Sequence, residues 1–278
     1  KEEKRDVTVL LSGDGPDELL GGYERHGTAL RTLAVSDKVP GAFRAAFRRL
    51  PRLQMQGRGE PLERALRGDR DDLLMQSSAY VMPWELAALG MPGDAVGDYR
   101  RASLASARGS DLRRMLLLDI ETYLDAVLMR QDKMAMAASV ETRVPYLEKR
   151  FIEACGRLPD SDRRDGRVGK WILRHIAERH LGRPVEPKAR KVGFAVPLTQ
   201  WLQEDPRLAG RLQAIARGTA PIAAHVPERL VRSALRGLAA GRRMETELAW
   251  MLVSMDIYLE VLDRAPDRAR QVRAAATR

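Results

Sequence analysis

The chain has 278 residues, 44% hydrophobic and 31% charged, which is typical of a soluble protein with one large domain or two small ones. No apolar run reaches the roughly 18 to 20 residues of a membrane-spanning helix, and the charged start KEEKRD lacks the apolar segment of a secretion signal, so we expect a cytoplasmic protein with no membrane partner. The net charge of +10 would suit nucleic acid, but the arginines are scattered and no nucleic-acid motif is present, so we expect a solvated basic surface and no nucleic-acid partner.

The first recognisable element is a strand, a tight turn and a helix start within residues 7–23. The run VTVLL predicts a short strand, and Gly13 and Gly15 allow a turn whose amides face a ligand. The carboxylates of Asp14 and Asp17 suit a divalent cation that bridges phosphates. An ordinary strand-to-helix turn with an acidic N-cap explains the same residues, so this stretch alone leaves both interpretations open.

The helix that starts near Asp17 is predicted to run toward Leu33. Farther along, apolar residues recur every three or four positions over residues 111–128, which predicts a helix with a core-facing stripe. A second, methionine-rich piece follows, and Pro145 then requires extended backbone before it. The single cysteine, Cys155, lies among apolar neighbours and is interpreted as a core residue, not a nucleophile.

The C-terminal part is predicted to be helical around one basic loop. A helix over residues 169–181 is expected to turn its apolar residues inward, Ile176 and Leu181 among them. Residues 188–197 carry three basic side chains followed by Gly193 and Pro197, which predicts a loop able to hold a lysine near an anion. Two further helices are predicted over roughly residues 227–240 and 244–262, and we expect the polar, Arg-rich tail of residues 264–278 to be frayed. The four histidines are scattered and show no zinc-binding pair.

Three stretches, in the same order, resemble motifs of the glutamine-dependent asparagine synthetases. SGDGPDELLGGY at residues 12–23 resembles the family's second ATP-site motif. YLDAVLMRQDKMAMAASVETRVPYL at residues 123–147 resembles the central signature, and KVGFAVPLTQWL at residues 191–202 resembles the third motif. Their order and spacing make the match specific. The family's glutaminase domain and its first phosphate loop, Ser-Gly-Gly-x-Asp-Ser, are expected upstream of Lys1.

The resemblance implies an α/β fold, a mostly helical fragment of an ATP-pyrophosphatase (adenine nucleotide alpha hydrolase-like) domain with a parallel strand at the N-terminus. Residues 1–265 would form the C-terminal portion of that domain, and residues 266–278 a polar tail. We expect residues 7–11 to form a strand with missing neighbours and exposed apolar surface. A complete multistranded sheet would contradict this expectation.

The resemblance also implies a reaction, in which ATP adenylates the side-chain carboxylate of aspartate and ammonia from glutamine then displaces AMP to leave asparagine. The implied cofactors are ATP and Mg²⁺. The implied partners are aspartate, ammonia from glutamine and the N-terminal glutaminase domain of the full protein, and a homodimer is compatible with the resemblance. For the 278 residues alone we expect weak or absent activity, measurable as pyrophosphate release.

Site residues are carried over from the family's motifs. The residues implied to bind the nucleotide and pyrophosphate, with Asp17 also as the Mg²⁺ ligand, are Ser12, Gly13, Gly15, Asp17 and Glu18.

The implied catalytic residues are Asp14, Glu141 and Lys191. Asp14 stands where many members have Glu and would lie beside the acyl group and the incoming amine. Lys191 would face the phosphate and the adenylate, because a compact ammonium on a loop suits a moving charge; a solvated surface lysine is the alternative. Glu141 and Arg143, and with them Asp132, are open to a structural role, since Glu141 and Arg143 could form a simple ion pair.

Two alternative functions remain open from the sequence. A relative with the same adenylating domain could close a β-lactam or macrolactam ring with an internal amine, although the SGDGPDE loop of residues 12–18 and the Lys191 motif here stay close to the synthetase form. The chain could also be a non-catalytic, basic binding module.

Overall fold

The chain, seen here as a computed structural model, folds into two units. The first unit comprises Lys1–Ala79 and Ala95–Ala189, and the second comprises Tyr80–Asp94 and Arg190–Arg278. The structure describes residues 7–50, 60–79, 83–91, 95–185 and 196–276.

Four short strands lie in the described part of the first unit. Strand β1 (Val9–Leu11) pairs in parallel with β2 (Glu141–Arg143) over three residue pairs. Strand β3 (Arg164–Asp165) pairs with β4 (Val168–Gly169) in an antiparallel hairpin. The expected N-terminal parallel strand is therefore confirmed, and β2 is its one ladder partner within the described part of the chain. All three residues of β1 are exposed, as expected of a strand with few neighbours.

Helices form most of the rest of the described chain. Short 3₁₀ turns are formed by Gln76–Ser78, Pro145–Leu147 and Pro221–Ala224, and a π turn by Ile120–Leu124. The α-helices in chain order are α1 (Pro16–Leu20), α2 (Glu24–Ser36), α3 (Gly41–Arg48), α4 (Glu60–Arg67), α5 (Arg70–Met75), α6 (Pro83–Ala88), α7 (Ala95–Ser106), α8 (Asp111–Asp119), α9 (Asp125–Ala137), α10 (Lys149–Arg157), α11 (Asp160–Arg163), α12 (Trp171–Leu181), α13 (Leu198–Glu204), α14 (Pro206–Ala216), α15 (Glu228–Ala239) and α16 (Arg243–Ala276).

Among the residues that the structure describes, two apolar clusters form the core of the first unit. The larger joins α2, α5, α7 and α8, and includes the fully buried Leu104 and Met115. The smaller lies beneath α1, where Leu19 and Leu20 pack with Cys155 of α10. Full burial of one leucine side chain contributes roughly 1.5–3 kcal/mol, so this small cluster holds α1 in place. The interpretation of Cys155 as a core residue is confirmed, and burial raises the pKa of its thiol.

The second unit has its own core, built from α13 to α16 and the turn Pro221–Ala224. Helices α15 and α16 approach closely at Gly237, where a Cβ atom would overlap the side chain of Glu245. The buried carboxylate of Asp256 on α16 accepts a hydrogen bond from Arg211 Nη1 at 2.8 Å. Asp205 begins α14 by accepting the backbone N–H of Arg207, the usual solution for an unpaired helix start.

Some predicted elements differ from the structure. The continuous helix from Asp17 toward Leu33 is wrong, because Gly21 adopts a left-handed conformation with φ of 63° and ends α1. The Gly22 N–H then donates to the Asp17 carbonyl at 3.0 Å, which closes the helix end. The helix predicted over residues 111–128 is confirmed, because α8, the π turn and α9 follow one another without a break. Helix α9 also includes the methionine-rich residues up to Ala137.

Two predictions for the C-terminal part are also wrong. Ile176 and Leu181 of α12 are 47% and 58% exposed, because this helix reaches its apolar cluster only through Ile172 and Leu173 in its first turn. The tail predicted to fray continues α16 as helix to Ala276, in keeping with the high helix propensity of its alanines and arginines. No helix in the described ranges is long and apolar enough to cross a bilayer.

Candidate functional site

The turn between β1 and α1 forms the centre of the candidate site. The Ser12 N–H donates to the Arg143 carbonyl at 2.8 Å and so continues the parallel ladder into the turn. The Ser12 hydroxyl donates to Asp14 Oδ2 at 2.5 Å, which orients that carboxylate. A Cβ atom placed on Gly13 would meet nothing within 4 Å, so the backbone there is open to a ligand. The sequence-predicted Ser12, Gly13 and Asp14 are thus adjacent in space and lie beside β2.

Gly15 is required by the turn itself. Its φ of 105° lies in the region that favours glycine, and a Cβ atom there would approach Leu147 Cδ2 to 2.5 Å. Leu147 belongs to the stretch of residues 123–147 that resembles the central signature. This stretch therefore contacts the stretch of residues 12–23 through side-chain packing as well as through the β1–β2 ladder.

The two acidic residues of α1 have different surroundings. Asp17 forms an ion pair with Lys170, whose Nζ lies 3.0 Å from Asp17 Oδ1. Glu18 is buried, 3% exposed, and accepts a hydrogen bond from the Tyr23 hydroxyl at 2.5 Å. Burial, followed by this hydrogen bond to Glu18, raises the pKa of Tyr23 well above its ordinary value. Glu18 thus faces inward and anchors α1, and its predicted part in nucleotide binding stays a prediction.

Glu141 and Arg143 form an ion pair on β2. Arg143 Nε donates to Glu141 Oε1 at 2.8 Å, and both side chains are more than half exposed. This hydrogen bond lowers the pKa of Glu141 and raises that of Arg143. The exposed pair is screened by water and adds little to stability. Ser139, two residues before β2, has a left-handed φ of 57°, which is uncommon for a residue other than glycine.

Lys191 lies outside the described residues, so its position and its catalytic role stay predictions. Of the third motif, the structure describes Val196, Pro197 and the helix α13 that Pro197 precedes. Asp132 is exposed on α9.

A buried polar network that joins α2 to α8 was not predicted from the sequence. His26 Nε2 and Arg25 Nη2 both lie 2.8 Å from Asp119 Oδ2, and the side chains of His26 and Asp119 are fully buried. Burial raises the pKa of Asp119, but the hydrogen bond to His26 and the charge of Arg25 outweigh it, so the pKa is lowered overall. The Arg25 guanidinium also stacks 4.0 Å from the Tyr23 ring centroid. A lone acid within the apolar run MLLLDI was the available signal.

The residues present fit Mg²⁺ in one restricted way. Within the described ranges no three His, Cys, Asp or Glu side chains form a cluster able to hold a metal ion. Mg²⁺ is commonly bound by one or two carboxylates together with water and phosphate oxygens, not by an all-protein cage. Asp17 can supply one such carboxylate. In this structure its charge is balanced by Lys170, whose Nζ lies 3.0 Å from Asp17 Oδ1.

A shallow cavity of about 450 Å³ also lies in the first unit, lined by residues such as Arg108, Arg113 and Glu121. The predicted site residues that the structure describes do not line it. We therefore assign the site to the turn after β1 and not to this cavity.

Comparison with known proteins identifies the family. A family model described as asparagine synthase matches residues 1–261. Asparagine synthetase [glutamine-hydrolyzing] 1 of Bacillus subtilis (strain 168) is 30% identical over 211 residues, which cover 74% of this chain and 33% of that protein. A protein of Mycobacterium bovis that is provisionally named asparagine synthetase [glutamine-hydrolyzing] is 28% identical over 221 residues, 73% of this chain and 32% of its own length.

A second Bacillus subtilis relative, asparagine synthetase [glutamine-hydrolyzing] 3, is 24% identical over 211 residues, 73% of this chain and 30% of its own length. No solved structure matches the chain significantly. The chain spans about a third of the length of the curated relatives that it matches. The chain belongs to the asparagine synthase family, because the family model matches residues 1–261 and the fold brings the stretches of residues 12–23 and 123–147 together.

Proposed function

We propose that this chain is part of an ATP-dependent amide ligase that converts aspartate to asparagine through a β-aspartyl-AMP intermediate, with ammonia derived from glutamine. The observation that carries the proposal is the parallel pairing of β1 with β2. Both strands end at the same edge, where the turn of residues 12–15 and the segment after Arg143 meet. In sheets of parallel strands, ligands bind outside the carboxyl ends of the strands.

The reaction needs an activated acyl group, because a carboxylate is a poor electrophile. One carboxylate oxygen of aspartate attacks the α-phosphorus of ATP, and pyrophosphate leaves with the electrons of the broken P–O bond. Ammonia then attacks the acyl carbon, a proton is lost from nitrogen, and AMP leaves. The protein must hold the two reactants in line and balance the phosphate charge.

Three residues of the turn, together with Lys191, have proposed tasks in this scheme. The open backbone at Gly13 admits the phosphates, and Ser12 orients the Asp14 carboxylate through their 2.5 Å hydrogen bond. Asp14 would lie beside the acyl carbon and is suited to accept the proton that the amine loses. Lys191 would face the phosphate and the adenylate, where its ammonium balances negative charge.

Asp17 would hold Mg²⁺ together with water and phosphate oxygens. When bound, Mg²⁺ would spread the negative charge of the phosphates and so favour attack at phosphorus. Glu18, hydrogen-bonded to Tyr23, keeps α1 and therefore Asp17 in place from within the fold.

The test uses the complete gene product that contains this chain, supplied with ATP, Mg²⁺, ammonium chloride and aspartate labelled with ¹⁸O in its side-chain carboxylate. We expect asparagine, pyrophosphate and AMP in equal amounts, with one ¹⁸O atom transferred to the phosphate of AMP. Formation of ADP and phosphate, or of AMP without asparagine, would contradict the proposal. The second result would favour a relative that joins a different amine.

Gly13→Ala provides a variant of the site that spares the fold. The added methyl has free space in the protein, so thermal stability should stay within about 1 kcal/mol of the parent. It would occupy the space proposed for the phosphates, and we expect ATP affinity to fall at least tenfold by isothermal titration. Gly156→Ala, also with free space around its Cβ, is the matched control and should leave ATP affinity unchanged.

A further inference from the structure

The segment of residues 163–170 holds α1 from outside the three motifs. Arg163 Nη1 donates to the Leu19 carbonyl at 2.6 Å, and the Lys170 N–H donates to the Leu20 carbonyl at 3.1 Å. The Arg164 guanidinium donates to the carbonyls that follow, at Gly21 and Tyr23. The last carbonyls of a helix lack partners within the helix. Here one short segment supplies donors for those at the end of α1.

The two guanidinium groups face carbonyl dipoles inside the protein. Arg163 and Arg164 are only 4% and 8% exposed, and this burial lowers the pKa of each. Arg164 makes no ion pair among the described residues. Positive charge at a helix C-terminus is favourable, because the carbonyl end of a helix is partially negative. The position of the five-residue α1 therefore depends on residues far from it in sequence.

Lys170 adopts an uncommon conformation at the end of this segment. Its φ of 56° and ψ of 40° are left-handed, which costs a residue other than glycine of order 1 kcal/mol or more. The preceding Gly169 lies so close to Gly21 that a Cβ atom would overlap the Gly21 carbonyl oxygen. The surrounding contacts hold Lys170 in this conformation, and its ammonium lies 3.0 Å from the Asp17 carboxylate.

We propose that Lys170 is an internal counter-ion of Asp17: it neutralises this carboxylate in the ligand-free site, yields it to a divalent cation when a polyphosphate binds, and then faces the polyphosphate. This inference rests on the proposed function, which places a metal and phosphates at the same turn. Both side chains are partly exposed, 24% for Lys170 and 15% for Asp17, so the ammonium has room to change partner. The positive charge of Lys170 can balance the Asp17 carboxylate before the polyphosphate binds and the phosphate oxygens afterwards.

The exchange predicts effects of opposite sign. In Lys170→Met the ammonium that pairs with Asp17 is removed, so Mn²⁺ alone should bind about two- to fivefold more tightly, the range of a partly exposed ion pair. Pyrophosphate with Mn²⁺ should bind roughly tenfold or more weakly, because a charge-assisted contact is lost. In Lys170→Arg, which keeps the charge, Mn²⁺ affinity should stay near that of the parent and pyrophosphate affinity should largely recover.

The experiment is isothermal titration of the complete gene product that contains this chain, with MnCl₂ alone and with sodium pyrophosphate at saturating Mn²⁺. Lys149→Met, at an exposed lysine of α10, is the matched control and should alter neither affinity. Asp17→Asn combined with Lys170→Met should abolish the stronger Mn²⁺ binding seen in Lys170→Met alone, which assigns the signal to this carboxylate. Circular dichroism melting of each variant tests whether all of them fold equally.

Opposite shifts in Lys170→Met, with recovery in Lys170→Arg, would support the exchange. A parallel loss of both affinities would overturn it in favour of a simple phosphate contact or a structural role. Unchanged affinities, or a parent chain that binds neither probe, would also overturn it. Failure of the proposed function is read separately, from asparagine formation and ¹⁸O transfer in the complete gene product.

Discussion

Removal of the buried carboxylate of Asp119 tests whether the polar network between α2 and α8 stabilises the first unit. In Asp119→Ala, Arg25 and His26 each lose the partner that now lies at 2.8 Å, and His26 remains fully buried. Removing one partner from a buried ion pair typically costs 3–5 kcal/mol. Arg25 is 26% exposed and can recruit water, so we expect the lower end, about 3 kcal/mol.

Hydrogen exchange measured by mass spectrometry reports this loss directly. Peptides from α2 and α8, which carry the two sides of the network, should exchange about 100-fold faster when opening becomes 3 kcal/mol easier. Asp98→Ala is the matched control, because Asp98 is 74% exposed and its pair with Arg101 should contribute at most about 1 kcal/mol. Equal exchange rates in the two variants would refute the stabilising role of the network.

The pH dependence gives a second readout of the same carboxylate. The pKa of Asp119 is lowered from 3.8 in the folded protein, so folding favours the ionised form. Its stabilising contribution is therefore complete above pH 3.8 and is lost as the pH falls through the folded-state pKa. The stability difference between the parent and Asp119→Ala should shrink over that acidic range. A difference that stays constant with pH would contradict the lowered pKa.

Three further substitutions or measurements probe the cores. Leu20→Ala, at 1% exposure, should lower the free energy of unfolding in urea by about 2–5 kcal/mol, whereas Leu181→Ala, at 58% exposure, should change it by less than about 0.5 kcal/mol. Gly237→Ala should reduce thermal stability by about 1–3 kcal/mol through overpacking against α16, while Gly210→Ala has free space and should not be destabilising. Cys155 should resist a thiol reagent in the native protein and react fully in denaturant, since it is buried and its thiol pKa is raised; rapid native labelling would show that the core opens.

Local patterns were sufficient for the strand, the turn and the principal helices. A β-branched run followed by two glycines predicts β1 and its turn, because these preferences act within a few residues. The spacing of apolar residues predicts the helical run of residues 111–128 in the same way. The end of α1 at Gly21 was missed, because a double glycine is compatible both with a helix end and with close approach of a ligand.

The resemblance placed the stretches of residues 12–23 and 123–147 in one site, but it did not predict how they contact each other. The β1–β2 ladder joins residues more than 130 positions apart, and periodicity carries no information about such pairing. The exposure of Ile176 and Leu181 in α12 was missed for a related reason. An apolar stripe shows which face of a helix can be buried, whereas neighbouring elements decide how much of it is covered.

By itself, the sequence determined the local elements, the core position of Cys155 and the order of the motifs that identify the family. Only the tertiary structure decided that Lys170 pairs with Asp17 and that Asp119 bonds to His26. It also decided that Arg163 and Arg164 donate hydrogen bonds to the carbonyls at the C-terminal end of α1. These partners lie more than ninety positions apart in the chain. An ion pair of that separation leaves no periodic trace, since it depends on where packed helices and hairpins bring single side chains together.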